Sequence, residues 1–293
     1  MVEHALDFRN ISMMNVSAKA VVLEVLSAGE SIHKGTLPVR SLVQAASVFD
    51  IAENSVRVAI VRLRAEGLLE SPSRGEYRLG PSAKMVNEKI HGWRTISTRV
   101  GEWDGSWVAA FTADLSRTDR PALRRRLRAL RYLGFEELKP GLFIRPNNLT
   151  PGIEGIRDEL FALGLDSGAS VFRVDQLDPA EERQARAMWD SPALEQAYSK
   201  LHGEISLGMD RLEKLPLNDA LREVFLLGRE GIRQVVLDPL LPDPLIDEDK
   251  RSRMVGILQD YCDRGLDLWA RFLELDDNVG VVGQESSSML TPA

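Results

Sequence analysis

Residues 37–79 constrain the fold most, because they hold two short helical periods separated by too few residues for anything but a tight turn. Val39, Leu42, Val43 and Ala46 recur at helical spacing, and so do Val56, Ile60 and Leu63. Gly67 follows the second period, where glycine tolerates the left-handed backbone that ends a helix. Leu68-Leu69 and residues 77–79 then read as two strands about a turn at residues 72–75, which is built from Pro, Ser, Arg and Gly. Helix, turn, helix and a small hairpin make the pattern of a winged helix-turn-helix. The expected cap of the second helix is a poor one, since Ala52 or Glu53 stands where Ser or Asp would serve best.

Burying Val56, Ile60 and Leu63 turns Asn54, Ser55, Arg57, Val58, Val61, Arg62 and Arg64 outward. A recognition helix sets its N-terminal residues against base edges in the major groove, while nearby cations neutralise phosphates. Asn54, Ser55, Arg57 and Val58 are therefore the expected groove residues. Arg62, Arg64 and Arg74 of the hairpin turn suit the DNA backbone. The formal charge of the whole chain is -7, which looks unsuited to a nucleic-acid partner until it is divided. Residues 36–98 carry nine Lys or Arg against six Asp or Glu, a net of +3, which leaves -10 for the rest.

The 293 residues allow two or three domains. A single cysteine, Cys262, rules out an intramolecular disulfide and suits a reducing cytoplasm, while no apolar run is long enough to cross a bilayer. Residues 1–16 lack periodicity and read as a flexible arm. Ser17 is placed to cap a helix containing Val21, Val25 and Leu26, and residues 82–97 read as a connecting helix. From residue 107 to 174 the order is strand, helix, strand, strand, helix, strand, with Lys139-Pro140-Gly141 turning the central pair. That order is the ferredoxin-like arrangement. Its first helix carries Arg124, Arg125, Arg126, Arg128 and Arg131 over an inner stripe of Leu123, Leu127 and Leu130. Guanidinium groups donate paired hydrogen bonds to phosphate, so the arginines form a candidate anion site. From residue 179 the chain is helical, with stripes at Leu217, Leu221, Val224, Gly228, Ile232 and Val235 and at Met254, Ile257, Tyr261, Leu268 and Phe272. These stripes pack helices within one chain or between two copies. Residues 276–293 read as a disordered tail.

The expected class is α+β: a winged helix-turn-helix with its connecting helix over 17–98, a ferredoxin-like domain over 99–178 and a helical domain over 179–275. Three stretches carry a family resemblance. Val56-Arg57-Val58-Ala59-Ile60-Val61-Arg62-Leu63 with Glu66-Gly67, then Trp103-Asp104-Gly105-Ser106-Trp107, then Val235-Val236-Leu237-Asp238-Pro239-Leu240-Leu241-Pro242 resemble the signature regions of the PaaX-like transcriptional repressors, in the same order. The resemblance implies a repressor of phenylacetate-type catabolic genes that leaves its operator when phenylacetyl-coenzyme A or another aryl-coenzyme A thioester binds, and because a single winged helix touches only a short half-site, a cytoplasmic homodimer is expected. The residues offer no Gly-rich phosphate loop, nucleophile elbow or metal-ligand spacing, so no enzyme activity, metal or other cofactor is expected. Arg124, Arg128 and Arg131 are candidates for the coenzyme phosphates, and Trp103, Trp107 or Trp189 for the aryl group. The sequence departs from the family at Asp247-Glu248-Asp249-Lys250 and Leu268-Trp269-Ala270, where many relatives carry a tryptophan and a Pro-Ala pair, so the ligand need not be phenylacetyl-coenzyme A.

Two other classes fit less of the chain. An architectural DNA binder leaves the large body unexplained. A metal nuclease would need partners for Asp114, which has no neighbouring carboxylate, and His4, His33, His91 and His202 lie in separate segments without metal-ligand spacing.

Overall fold

The structure, a computed structural model, describes residues 16–32, 35–84 and 92–282. It separates into two compact units: Met1–Gly92 with Ile205–Ile232 and Leu258–Ala293, and Trp93–Glu204 with Arg233–Ile257. The flexible arm expected over 1–16 lies almost wholly outside the described residues, as does the middle of the expected connecting helix.

In the first unit, Ser17 opens α1 (Ala18–Ile32), its Oγ accepting the Ala20 N–H at 3.2 Å. β1 (Leu37–Pro38), α2 (Val39–Ser47), α3 (Glu53–Ala65), β2 (Leu69–Glu70) and β3 (Glu76–Leu79) follow. The strands form an antiparallel sheet in the order β1-β3-β2. Pro38, which has no N–H to donate, sits on an edge strand, where that lack is tolerated. α3 ends as its sequence requires: Gly67 lies at φ +71, its N–H reaches Arg64 O at 3.0 Å, and Leu68 N–H reaches Leu63 O at 2.9 Å.

Val21, Val22, Leu26, Leu42, Val56 and Leu63 are fully buried. The three helices do not achieve this alone. α8 (Leu217–Val236) adds Leu221 and Phe225 to the same core, and α9 (Glu248–Val282) adds Trp269, Phe272 and Leu273. Close approach of α9 to α8 needs glycine, since a Cβ at Gly265 would stand 2.2 Å from Val224 Cγ1. α7 (Ser191–Leu212), α8 and α9 each contribute residues to both units. α9 continues to Val282, beyond the end expected at 275, and residues 283–293 lie outside the described residues. No helix among the described residues is long and apolar enough to cross a membrane.

The second unit begins at Trp93, within two short 3-10 turns over Gly92–Arg99 that are separated by a kink at Thr95 and bury Trp93 and Ile96. β4 (Trp107–Phe111), α4 (Arg120–Tyr132), β5 (Glu136–Lys139), β6 (Leu142–Pro146), α5 (Ile153–Ala162) and β7 (Ser170–Val174) follow, and the four strands pair antiparallel in the order β5-β6-β4-β7. Asp119 caps α4 by accepting the Ala122 N–H at 3.0 Å. The inner face of α4 differs from the expected leucine stripe. Ala122, Arg126, Ala129 and Leu130 are the buried residues, while Leu123 and Leu127 are only half-buried. Arg126 is therefore not a surface arginine: its Nε donates to Asp166 Oδ2 at 2.8 Å.

Residues 238–242 join the sheet to the helices through buried polar groups. Asp238 accepts the Tyr198 hydroxyl of α7 and, at 2.7 Å, the Leu240 N–H. Asn148 donates to Leu240 O at 2.8 Å and accepts from Arg145 at 2.9 Å, while Arg251 of α9 donates to Leu241 O at 2.7 Å. Arg145 also donates to the Leu133 carbonyl. Burial pushes the Asp238 carboxyl above the usual carboxylate range, against the pull of the Tyr198 hydroxyl and the Arg251 charge. Gly134 has to be glycine here, because it lies at φ +72 and a Cβ would stand 2.7 Å from Pro239 O. Tyr198→Phe removes a hydrogen bond to a buried charged group and is expected to cost about 1.5–3 kcal/mol in chemical denaturation. A loss below about 0.5 kcal/mol would mean that Asp238 does not depend on this donor.

Candidate nucleic-acid interface

The outward face of α3 is the one the apolar spacing assigns. Val56, Ala59, Ile60 and Leu63 are buried, whereas Asn54, Ser55, Arg57, Val58, Val61, Arg62 and Arg64 are exposed. Val58 and Val61, at 42% and 66% exposure, are large apolar groups held in water on a helix whose other side is closed. Ala52 precedes the helix in extended backbone and offers no side-chain cap to the first N–H groups of α3.

The cations divide by what already holds them. Arg57 donates twice to Glu53 Oε1, at 2.6 and 2.8 Å, one helical turn back. Arg78 pairs with Glu70 at 2.6 Å and Lys19 with Glu66 at 2.7 Å. The side chains of Arg62, Arg64 and Arg74 are exposed and make no hydrogen bond or ion pair among the described residues. In the turn that carries Arg74, Ser71 Oγ donates to Ser73 O at 2.7 Å and Ser73 Oγ donates to Glu76 at 2.6 Å, which fixes the loop on either side of the arginine.

What aims α3 lies far along the sequence. The turn between α2 and α3 contains Asp50 in the left-handed region at φ 58, a conformation that Asp accepts better than most residues. Arg222 of α8 donates to Val48 O and, at 2.7 Å, to Asp50 Oδ2. Phe225 tilts against Phe49 with ring centroids 4.6 Å apart. Three consecutive turn residues are thus held by one face of α8. Phe225 follows Leu221 at helical spacing and so could have been placed on an inner face from sequence. Its partner, 176 positions earlier, has no sequence signal.

The residues expected to hold a small effector are distributed differently. Trp107 is fully buried, stacks on Trp189 with centroids 6.2 Å apart, meets Trp103 edge-on at 5.1 Å and donates to Glu182 Oε2 at 2.9 Å. Arg186 of α6 (Pro179–Arg186) lies over the Trp103 ring, 4.7 Å from its centroid. Side chains alternate along a strand, so Trp107 and Val108 point to opposite faces of the sheet. Val108 pairs across the ladder with Arg145, which reaches the end of α4 at Leu133 O. The tryptophans thus occupy the face that α6 covers, and α4 with Arg124, Arg128 and Arg131 belongs to the other. Arg124 and Arg131 are exposed and Arg128 is half-buried.

The apolar stripes of α8 and α9 are used inside the chain, where Leu221, Val224, Val235, Met254, Tyr261 and Phe272 are buried. Asp114 is exposed in the turn after β4, and His202 is half-buried in α7; His4, His33 and His91 lie outside the described residues. Among the described residues no group of three or more His, Cys, Asp or Glu could hold a metal ion.

Taken together, these features define a mixed helix and sheet protein, helical toward its C terminus, with a polar and cationic helix face near its start. The family described as PaaX-like protein matches residues 17–83, and the one described as PaaX protein central Cas2-like domain matches residues 100–186, together more than half of the chain. The chain belongs to the PaaX-like family. Among solved structures, the uncharacterized protein Rv0674 from Mycobacterium tuberculosis is similar at 20% identity and a TM-score of 0.63, covering 90% of this chain and 100% of that one, a likeness of fold. No curated protein matches.

Phe225→Ala removes a buried ring from the turn that aims α3 and is expected to cost about 3–5 kcal/mol, while Leu226→Ala, at a neighbouring exposed position, is expected to stay within about 0.5 kcal/mol. Equal effects of the two in urea unfolding would show that Phe225 does not anchor the turn.

Proposed function

We propose that this chain is a DNA-binding transcription regulator, a repressor of a phenylacetate-type catabolic operon, in which residues 17–83 act as a winged helix-turn-helix and residues 107–174 as a ferredoxin-like domain. The observation that carries the reading is the outward face of α3. Asn54, Ser55 and Val58 stand near its start, Arg62 and Arg64 follow, Arg74 projects from the hairpin turn, and the opposite face is fully committed to the core. Family membership supports the regulatory role.

In this reading α3 enters the major groove by its N-terminal half. The Asn54 amide can serve adenine as paired donor and acceptor, Ser55 can bond either type of base, and Val58 can meet a thymine methyl. Arg62, Arg64 and Arg74 need no internal bond broken before they meet phosphate. Arg57 must leave Glu53, whose carboxylate opposes the DNA backbone. A single such head reads a short half-site, so the active form is a homodimer on a paired operator. The rest of the chain biases the head through an effector that binds the released state more tightly, an aryl-coenzyme A thioester by the family resemblance. The protein acts in the cytoplasm without metal or catalytic step.

Gel-shift titration on a DNA site that the protein selects from a random library tests the reading. Arg62→Ala and Arg74→Ala are expected to weaken all sites alike and to lower the slope of log affinity against log salt by about one each. Asn54→Ala should relax sequence preference at one position, at about 1–3 kcal/mol. Folded variants with wild-type affinity and slope would refute the placement of α3. The same complex is expected to dissociate with phenylacetyl-coenzyme A or a related thioester; release by free aromatic acids and by no thioester would overturn the ligand class.

A further inference from the structure

We propose that the exposed face of α4 is a second DNA-backbone surface, separate from the head, that binds duplex phosphates flanking the operator; the inference rests on the DNA-binding reading above. α4 holds six arginines and no acidic residue in thirteen positions, in a chain whose net charge is -7. One of the six, Arg126, is structural, buried and paired with Asp166. Four of the others form a line. At 100° per residue, Arg120, Arg124, Arg128 and Arg131 fall within about 80° of one another and extend about 16 Å along the helix axis. One strand of duplex DNA carries a phosphate about every 3.4 Å of axis but winds around that axis, so a straight line of this length is long enough to meet a few phosphates along the duplex. A compact coenzyme phosphate group needs no such length, and the tryptophans that would take its acyl part lie on the other face of the sheet.

The line is costly to the helix itself. Arg120, Arg124 and Arg128 are like charges at i, i+4 spacing, which destabilises a helix, and Arg120 and Arg124 stand toward the positive end of the helix dipole. Relief inside the chain reaches only part of the line: Arg131 attracts the Glu136 carboxyl and Arg128 has an interaction of its own, while Asp119, nearest the start of the helix, is occupied as the cap. The side chains of Arg120 and Arg124 are exposed and make no hydrogen bond or ion pair among the described residues. The exposed charges of Arg120 and Arg124, which weaken the start of their own helix, are accounted for by a counter-charge that arrives from outside, and the length of the line fits a polyanion.

The test uses the full chain and a triple variant, Arg120→Ala, Arg124→Ala and Arg131→Ala, on a short duplex that just covers the selected site and on one extended at both ends. On the long duplex the variant is expected to bind at least about tenfold more weakly at low salt, with a salt slope lower by about three. On the short duplex it should match the wild type, select the same sequence, and melt no lower, because like-charge repulsion has been removed. A wild-type slope on the long duplex would overturn the proposal. So would an unchanged slope with loss of release by phenylacetyl-coenzyme A, which would assign the arginines to the effector. If the wild type selects no sequence, the reading of α3 fails, and the slopes on duplex of arbitrary sequence still decide the role of α4.

Discussion

The first unit depends on one constraint: three short helices and a small sheet bury their apolar face only when α8 and α9 complete it. Leu221, Phe225, Trp269, Phe272 and Leu273 share a core with Val21, Leu26, Leu42 and Leu63. Burying a side chain such as Leu or Phe is worth about 1.5–3 kcal/mol, so these distant residues supply a substantial part of what holds the head together. The same contact does a second job. Arg222 and Phe225 grip residues 48–50, so the face of α8 that closes the core also sets the turn from which α3 departs.

In the second unit the organising element is polar. Asp238 and Arg145 are buried and would be costly if alone, yet every strong bond they make goes to a backbone group or to a side chain that is itself fixed. The Val235 to Pro242 signature is therefore legible as architecture: its Asp, its carbonyls and the left-handed Leu240 form the points at which sheet and helices meet. The departures from the family pattern also have structural occupants. Lys250 bonds Glu195 at 2.6 Å and approaches Asp247, and Trp269 lies in the core of the first unit.

Much of this was readable from sequence, for physical reasons that differ by element. α3 was, because its buried residues recur every third or fourth position and Gly67 stops it. The order of elements from β4 to β7 was, because each has its own periodicity and Lys139-Pro140-Gly141 admits little except a turn. Arg126 was not, since an arginine inside an arginine run looks like surface until Asp166, forty positions on, supplies a partner. Nor was the expected leucine face of α4, because the close-packed side is lined by Ala122 and Ala129, whose small size is a weak signal. The α3 residues named for DNA stand together on one face, whereas the arginines and tryptophans named for an effector sit on opposite faces of a sheet, and a list of residues cannot record which way a strand alternates.

The way the head is closed bears on how the chain is made. Its first eighty residues leave the ribosome with an apolar face uncovered, and Trp269 follows Leu63 by about 200 positions. At roughly 5–20 residues per second, the nascent head waits on the order of ten seconds or more for the residues that seal it. Through that interval its three helices are collapsed at best, so a chain broken off before α9 is left with an adhesive surface in place of a working head. Completion of synthesis is in this sense a checkpoint: a message truncated before Trp269 leaves the core behind α3 unsealed.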